Sequence, residues 1–276
     1  MYNYSKVKQI PYICNMKTKA IFFDIDGTLV SFKTHRIPDS TIEALTILRK
    51  KGIKLFIATG RSWGLINNLG NVKFDGFITV NGCSCFTSDF TPIYNSSIPH
   101  EDINRLIDSG LTEEFSFTFT DGDDEFVTRI NERVQAISDL IELPNARVAP
   151  VTDARGKDFY QLMGYFTKEE EQRFNIFENI LTHCTPMRWH PLFTDIITTG
   201  NSKQTGVDKV LDYFHIDLSE SMSFGDGGND IPMLQHTAIG IAMGNSKDEV
   251  KTAADYVTTS IDDDGIVNAL KHFKLI

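Results

Sequence analysis

Cysteine is scarce in this chain: Cys14, Cys83, Cys85 and Cys184 are the four among 276 residues. No C-x-x-C pair occurs, and Cys83 and Cys85 are too closely spaced for a zinc knuckle. The thiols therefore read as those of a reduced, cytoplasmic protein. Basic residues are also few, 27 Lys and Arg against 37 Asp and Glu, and the resulting charge of −10 argues against a nucleic-acid or anionic-membrane partner. It leaves room for a small phosphorylated metabolite, because local lysines and a metal can reverse the field inside a site. Long apolar runs are missing. No window approaches eighteen apolar residues, so a membrane span is not expected. The opening "MYNYSKVKQIPYIC" has no apolar core and no cleavage site, which excludes a secretory signal. Residues 1–16 read as a disordered extension, and Met16, just before "KTKAIFFDIDG", is a candidate translation start. Internal repeats and low-complexity tracts are absent.

What is present is an ordinary globular composition, 41% hydrophobic and 23% charged, over a length that suits about two domains. "KAIFFDID" is apolar without alternation and reads as a strand buried on both faces. "DSTIEALTILRKKG" follows as a helix: Ser40 and Glu43 match a capping box, Ile42, Leu45 and Leu48 recur at helical spacing, and Gly52 sits at the C-terminal cap. "IKLFIATGR" and "GFITVNG" repeat the strand pattern, giving the strand–helix–strand rhythm of an open parallel sheet. After Gly82 the rhythm changes. "FSFTFTDGDDEFVTRI" alternates Phe115, Phe117 and Phe119 with polar residues and reads as an antiparallel hairpin. Helices are expected around "VQAISDLIEL" and across "KEEEQRFNIFENIL", with a strand at "FYQLMGYF". From Thr194 the parallel rhythm resumes: a helix over "KQTGVDKVLDYF", strands at "SMSF", "IGIAM" and "DYVT", and a helix over "SKDEVKTAA". The expected architecture is α/β, a doubly wound parallel core over 17–84 and 192–276, interrupted by an α+β domain over 85–191.

Two acidic motifs end strands of that core. "FFDIDGTLV" places Asp24 and Asp26 two residues apart, and in an extended chain such positions face one side. Open α/β sheets bind ligands beyond the C-terminal ends of their strands. Two carboxylates held so close need a cation or a shared proton, and hard oxygen ligands suit Mg²⁺. "GDGGND" offers Asp226 at the end of another apolar run, with Asn229 and Asp230 behind it as orienting groups. Turn chemistry alone also produces such clusters of Gly, Asn and Asp. Thr59, in "IATGR", ends a strand where its hydroxyl and the following Gly60 N–H suit a phosphoryl oxygen. Lys203 stands at a helix start, where its charge and the helix N-terminus both favour an anion. The G-x-x-x-x-G-K-[ST] order of a Walker A loop is missing.

"DIDGT", "ATGR", Lys203 and "GDGGND", in that order, resemble the four motifs of the haloacid dehalogenase superfamily of phosphatases. The resemblance runs from Met16 onward, and the insert resembles the type-two cap of the Cof-like subclass IIB. It implies that Asp24 is the nucleophile that forms an aspartyl-phosphate, and that Asp26 is the acid that protonates the leaving alkoxide and then the base that activates water. It further implies Mg²⁺ held by Asp24, Asp226 and the backbone carbonyl of Asp26, with Thr59, Gly60 and Lys203 on the phosphoryl oxygens. Asn229 and Asp230 support the loop. The implied activity is Mg²⁺-dependent hydrolysis of small phosphomonoesters, with sugar phosphates first, the cap setting specificity, and no protein partner. A phosphomutase and a non-catalytic sugar-phosphate sensor are the alternatives. A dehalogenase fits least, because it has no use for the second aspartate or the metal ligands.

The remaining polar clusters carry less. "DGDDE" at Asp121 fails the spacing of a calcium loop and reads as a solvated turn. The seven histidines are scattered, His35 sits in a loop, and "MRWHPLF" reads as packing rather than as a substrate contact.

Overall fold

A computed structural model of the chain describes residues 17–122, 124–141 and 145–276. The expected extension over 1–16 and the end of the "VQAISDLIEL" segment lie outside them. In chain order the elements are β1 (Ala20–Phe23), α1 (Asp39–Lys50), β2 (Lys54–Ala58), β3 (Gly76–Thr79), β4 (Ser84–Thr87) and β5 (Pro92–Asn95). Next come α2 (His100–Asp108), α3 (Leu111–Glu114), β6 (Phe117–Thr120), β7 (Glu125–Val127), α4 (Glu132–Ile141), β8 (Arg147–Val148) and β9 (Gln161–Gly164). Then follow α5 (Lys168–Arg173), β10 (Cys184–His190), β11 (Phe193–Thr198), α6 (Lys203–Phe214), β12 (Ser221–Gly225) and α7 (Ile231–His236). The chain closes with β13 (Ile239–Ala242), α8 (Asp248–Ala253), β14 (Tyr256–Val257) and α9 (Gly265–His272).

The first compact unit comprises 17–61, 66–94 and 202–276. Its sheet runs β14-β13-β12-β1-β2-β3-β4-β5, parallel from β14 to β3, with β4 antiparallel to β3. Parallel strands need both faces covered, and β1 shows why its sequence does not alternate. On one face Phe22 stacks on Phe56 at 5.0 Å, and on the other Phe23 stacks on Phe224 at 5.1 Å. The order places β1 between β12 and β2 at the centre, so the loops leaving these strands share one edge. α1 forms over the expected residues, with Gly52 at φ +79° closing it, but the capping box does not form. Pro38 occupies the cap, and the Ser40 hydroxyl instead donates to Asp264. α6 covers "KQTGVDKVLDYF" in full, capped by the Ser202 hydroxyl, which accepts from Thr205 N–H.

The second unit comprises 62–65 and 95–201 and is built on a six-stranded sheet of order β10-β11-β9-β6-β7-β8. Its strands are antiparallel except for the β7–β8 pair. Phe117, Phe119, Phe126, Leu162 and Ile196 point from one face of this sheet into an apolar core with Leu106 and Ile103 of α2. The units differ from the expected boundaries at both ends. β4 and β5 continue the first sheet beyond residue 84 because β4 hydrogen-bonds antiparallel to β3. Residues 193–198, expected to resume the parallel core, pair antiparallel with β9 and β10. The helix expected across "KEEEQRFNIFENIL" is broken: α5 ends at Arg173, and Asn175 adopts a left-handed φ of 48° before a separate turn over Ile176–Ile180.

Candidate active site

Asp24 follows the last residue of β1, and its N–H donates to Phe224 O. Its side chain is nearly buried, and Oδ1 accepts from Lys203 Nζ at 2.6 Å. The same ammonium donates to Asp230 Oδ1 at 2.6 Å. Lys203 and Asp230 are both fully buried. The first residue of α6 thus binds a carboxylate from each of two loops at the strand edge. A buried ammonium needs such partners, since an unpaired charge in the interior costs on the order of several kcal/mol.

The "GDGGND" loop is shaped around Asp230. Its Oδ2 accepts from the N–H groups of both Asp226 and Gly227 at 2.9 Å, while Oδ1 is taken by Lys203. None of Gly225, Gly227 and Gly228 has a positive φ, so the glycines are not there for a left-handed turn. Gly225 is required by close approach, because a Cβ there would lie 2.5 Å from the Asp230 side chain. With Asp230 so used, Asp226 presents its carboxylate outward. Oδ1 accepts from Thr28 Oγ1 at 3.0 Å, and Oδ2 lies 3.4 Å from Asn245 Nδ2. Gly27 sits against that carboxylate at φ +80°, and a Cβ on it would come within 2.3 Å of Asp226 Oδ2. Only glycine satisfies both demands.

Asp24 and Asp26 do not point at one spot, as an extended chain would have them. β1 ends at Phe23, and Ile25 O then accepts from the N–H groups of Thr28, Leu29 and Val30, so the backbone turns between the two aspartates. Asp24 enters the Lys203 cluster, whereas the carboxylate of Asp26 is bound by Arg61, through Nε at 2.7 Å and the terminal nitrogen at 2.6 Å. This forked pair is the strong geometry for arginine and carboxylate. Arg61 belongs to the "ATGR" motif, but sequence reasoning did not single it out. Nothing in "IATGR" states which acid it meets. Thr59, also buried, accepts on Oγ1 from Arg61 N–H at 3.1 Å. Gly60 lies beside Asn81, where a Cβ would be 3.2 Å from the amide, and Asn81 Oδ1 accepts from Asn229 at 3.0 Å. Asn229 therefore ties the acidic loop to the segment after β3 rather than to Lys203, and Asn81 is a second residue that the sequence did not mark.

Carboxylate oxygens of Asp24, Asp226 and Asp230 lie within 4.8 Å of one another. Burial raises the Asp24 carboxyl well above its ordinary range, against the pull of Lys203 and with the help of the Asp230 and Asp226 charges. Burial and then Asp230 push Asp226 up to about 7. Burial also opposes the charge on Lys203, but Asp230 and Asp24 outweigh it and raise the ammonium. The cluster holds more negative charge than one lysine balances. A hard cation suits it on this ground: Asp230 is saturated by donors, and Asp24 and Asp226 are the carboxylates that remain for an oxygen-ligated ion such as Mg²⁺.

Among the other groups, Cys83, Cys85 and Cys184 are buried. Arg188 is structural, donating to Phe166 O, Phe193 O and Glu171. No helix among the described residues is long and apolar enough to cross a membrane.

Comparison with known proteins places the same residues in context. The family model for haloacid dehalogenase-like hydrolases matches residues 21–270. YkrA of Bacillus subtilis (strain 168), a candidate phosphatase by its name, is 32% identical over 265 residues, covering 95% of this chain and all of that protein. The 5-amino-6-(5-phospho-D-ribitylamino)uracil phosphatase YcsE of the same organism is 26% identical, covering 93% of this chain and 96% of its own length. Among solved structures, the subclass IIB sugar phosphatase BT4131 superposes with a TM-score of 0.83 at 45% identity, over 94% of this chain and all of that one. The phosphatase BT1666 from Bacteroides thetaiotaomicron gives 0.87 at 35% identity, over 100% of this chain and 99% of its own.

Proposed function

This chain belongs to the haloacid dehalogenase-like hydrolases and is a phosphatase, and from that premise we propose that it hydrolyses small sugar-type phosphomonoesters with Mg²⁺ through an aspartyl-phosphate on Asp24. The observation that carries the mechanism is the buried Asp24–Lys203–Asp230 bridge, which fixes one oxygen of Asp24 by a charge-assisted hydrogen bond. In the first step an Asp24 carboxylate oxygen bonds to phosphorus, the ester P–O bond breaks, and the departing alkoxide takes a proton from Asp26. In the second, Asp26 takes a proton from water, the water oxygen bonds to phosphorus, and the Asp24–phosphorus bond breaks to release phosphate. Proton transfers of this kind are worth roughly a hundred- to ten-thousandfold.

The side chains around the two aspartates position rather than react. Arg61 holds both oxygens of Asp26 before substrate binds, and Asp26 leaves that fork to carry the proton. Lys203 spends two of its three N–H donors on Asp24 and Asp230, which leaves the third for a phosphoryl oxygen beside Thr59 and the Gly60 N–H. Asp24 and Asp226 would hold Mg²⁺, with the Asp26 backbone carbonyl as a further ligand. When bound, the ion neutralises phosphoryl charge so that an anionic nucleophile can approach. Asn229 and Asp230 keep the acidic loop in place. The inserted second unit acts as the cap that selects substrate. The names of the two relatives with stated substrates, a sugar phosphatase and a phosphatase of a phosphoribityl compound, support a phosphate carried on a hydroxylated chain.

The test is a phosphate-release screen over sugar phosphates, nucleotides and pyridoxal phosphate, with and without Mg²⁺. Release from sugar phosphates that stops on chelation is the expected result. Conversion of a sugar phosphate to its isomer without free phosphate would replace hydrolysis by a mutase, and metal-independent release would remove Mg²⁺.

A further inference from the structure

The segment "VNG" that follows β3 is short, buried and strained. Val80, Asn81 and Gly82 have φ of 52°, 52° and 95°, three left-handed residues in succession. Glycine takes that conformation freely and asparagine tolerates it, but a β-branched valine there is an outlier. Val80 is 0% and Asn81 2% exposed, and Gly82 is buried with them. Outliers of this kind persist only where the surroundings hold them, and they cluster at functional sites.

Three segments of the candidate site hold this turn. Its backbone is bonded to the loop after β2: Val80 N–H donates to Arg61 O at 3.0 Å, and Asn81 N–H donates to Thr59 O at 3.0 Å. Gly82 faces the start of α6, where a Cβ on it would come within 2.0 Å of Ser202 O, the carbonyl just before Lys203. The Asn81 side chain reaches the acidic loop, its Oδ1 accepting from Asn229 Nδ2 at 3.0 Å. Gly60 rests on this pair of amides: a Cβ there would lie 3.2 Å from both Asn81 amide atoms and 3.5 Å from Asn229 Nδ2. All of these residues lie in the first compact unit. The left-handed turn keeps three successive residues at the junction, whereas an extended continuation of β3 would carry each about 3.3 Å further along.

We propose that Asn81 is a positioning residue for phosphoryl transfer: its amide holds the Thr59–Gly60 loop in register with the acidic loop, and the strained turn fixes that amide against the start of α6. The inference rests on the phosphatase mechanism above, in which Thr59, Gly60 and Lys203 bind the phosphoryl oxygens. Asn81 makes and breaks no bond. It sets the spacing between donors on one loop and acids on another, and a misplacement of about 1 Å in such a site costs on the order of a hundredfold in rate. Asparagine suits the position twice over, because it accepts a left-handed φ and carries an amide that can meet Asn229.

The experiment measures kcat and KM for glucose 6-phosphate and p-nitrophenyl phosphate, with melting temperatures, in the wild type, Asn81→Gly, Asn81→Ala, Asn229→Ala and the double variant Asn81→Gly/Asn229→Ala. Asn81→Gly removes the amide and relieves the backbone, whereas Asn81→Ala removes the amide and keeps the strain. Both should lose about tenfold or more in kcat with KM changed by less than about threefold, and the alanine variant should melt at the lower temperature. The losses in Asn81→Gly and Asn229→Ala should not multiply, because the two substitutions break one link. Rates are read well below the melting temperatures, where every variant is folded. A kcat that follows melting temperature across the variants would make Asn81 purely structural and overturn the proposal. So would an Asn81→Gly kcat within about twofold of the wild type, or losses that multiply in the double variant. Asp24→Asn separates the two levels of failure. If it abolishes turnover and Asn81→Gly does not slow it, only the positioning role falls. If Asp24→Asn is as active as the wild type, or the wild type turns over neither ester, the mechanism and the positioning role fall together.

Discussion

The loops around Asp24 and Lys203 and the polar face of the second sheet both take polar groups out of water, and they meet the cost differently. Around Lys203 the partners are complete: the ammonium has Asp24 and Asp230, and both oxygens of Asp230 are used. On the second sheet Ser116 Oγ, Thr120 Oγ1 and Glu125 Oε2 have none. Completed pairing fixes atoms before a substrate arrives, which is what phosphoryl transfer asks of its nucleophile. Incomplete pairing is a standing penalty on the folded state. The comparison therefore makes opposite forecasts for the same kind of substitution, and these can be ranked by size.

The largest effect belongs to Asp24, the proposed nucleophile. Asp24→Asn keeps the shape and the contact with Lys203 but removes the carboxylate proposed to attack phosphorus, so kcat should fall by more than about a thousandfold while the unfolding transition remains cooperative. Near wild-type turnover would take the covalent step away from Asp24. Next is the bridge itself. Lys203→Met leaves Asp24 and Asp230 buried without a counter-charge, and stripping one partner from a buried network costs roughly 3–5 kcal/mol. Urea denaturation should show that loss together with loss of activity. A variant as stable as the wild type would mean that the pairing does not matter to the fold.

The metal-free protein should also be sensitive to pH. Burial, reinforced by Asp230, pushes Asp226 up to about 7 from an ordinary 3.8, and Asp24 moves the same way. A carboxyl raised in the folded state adds stability that is fully present below about pH 3.8 and is lost as pH rises through about 7. The chelated protein should therefore lose melting temperature between pH 5.5 and 8. If, as proposed, Mg²⁺ binds the ionised carboxylates, it should raise the melting temperature more at pH 8 than at pH 5.5. Equal shifts at the two values would separate these carboxylates from the metal.

How far each region could be read beforehand follows from the range of the interactions that build it. β1, α6 and the parallel rhythm were legible because local pattern and burial agree there: "AIFF" is buried on both faces, and "KQTGVDKVLDYF" is helical from end to end. The meeting of Asp24, Asp226 and Lys203 at one strand edge followed from that rhythm. Arg61 on Asp26 did not, because the turn at Ile25 breaks the extended geometry, and the pairing joins loops 35 positions apart. Nor did the break at Asn175, where a single left-handed residue interrupts a run of good helix formers. The strand over 193–198 looked like part of the parallel core because an apolar run does not state its partner. "FSFTFT" was legible as a strand, but alternation reports which residues are hydrophobic, not whether the polar side meets water.

That last point yields the smallest and most discriminating forecast. Thr120 sits inside a strand, almost fully buried, with its hydroxyl unpaired. Valine has nearly the same shape, favours strands at least as well, and carries no polar atom to desolvate. Removing a buried group that makes no hydrogen bond should return part of a penalty of about 1–3 kcal/mol, so Thr120→Val should stabilise the free protein by about 0.5–1 kcal/mol in urea denaturation. Lys203→Met, also a polar-to-apolar replacement at a buried site, carries the opposite sign. If Thr120→Val instead destabilised the protein by a comparable amount, the hydroxyl would have a partner in solution and the two regions would not differ in kind. If it stabilises, the cost that Thr120 imposes on the folded protein is real, and the two regions differ in how they meet the loss of water.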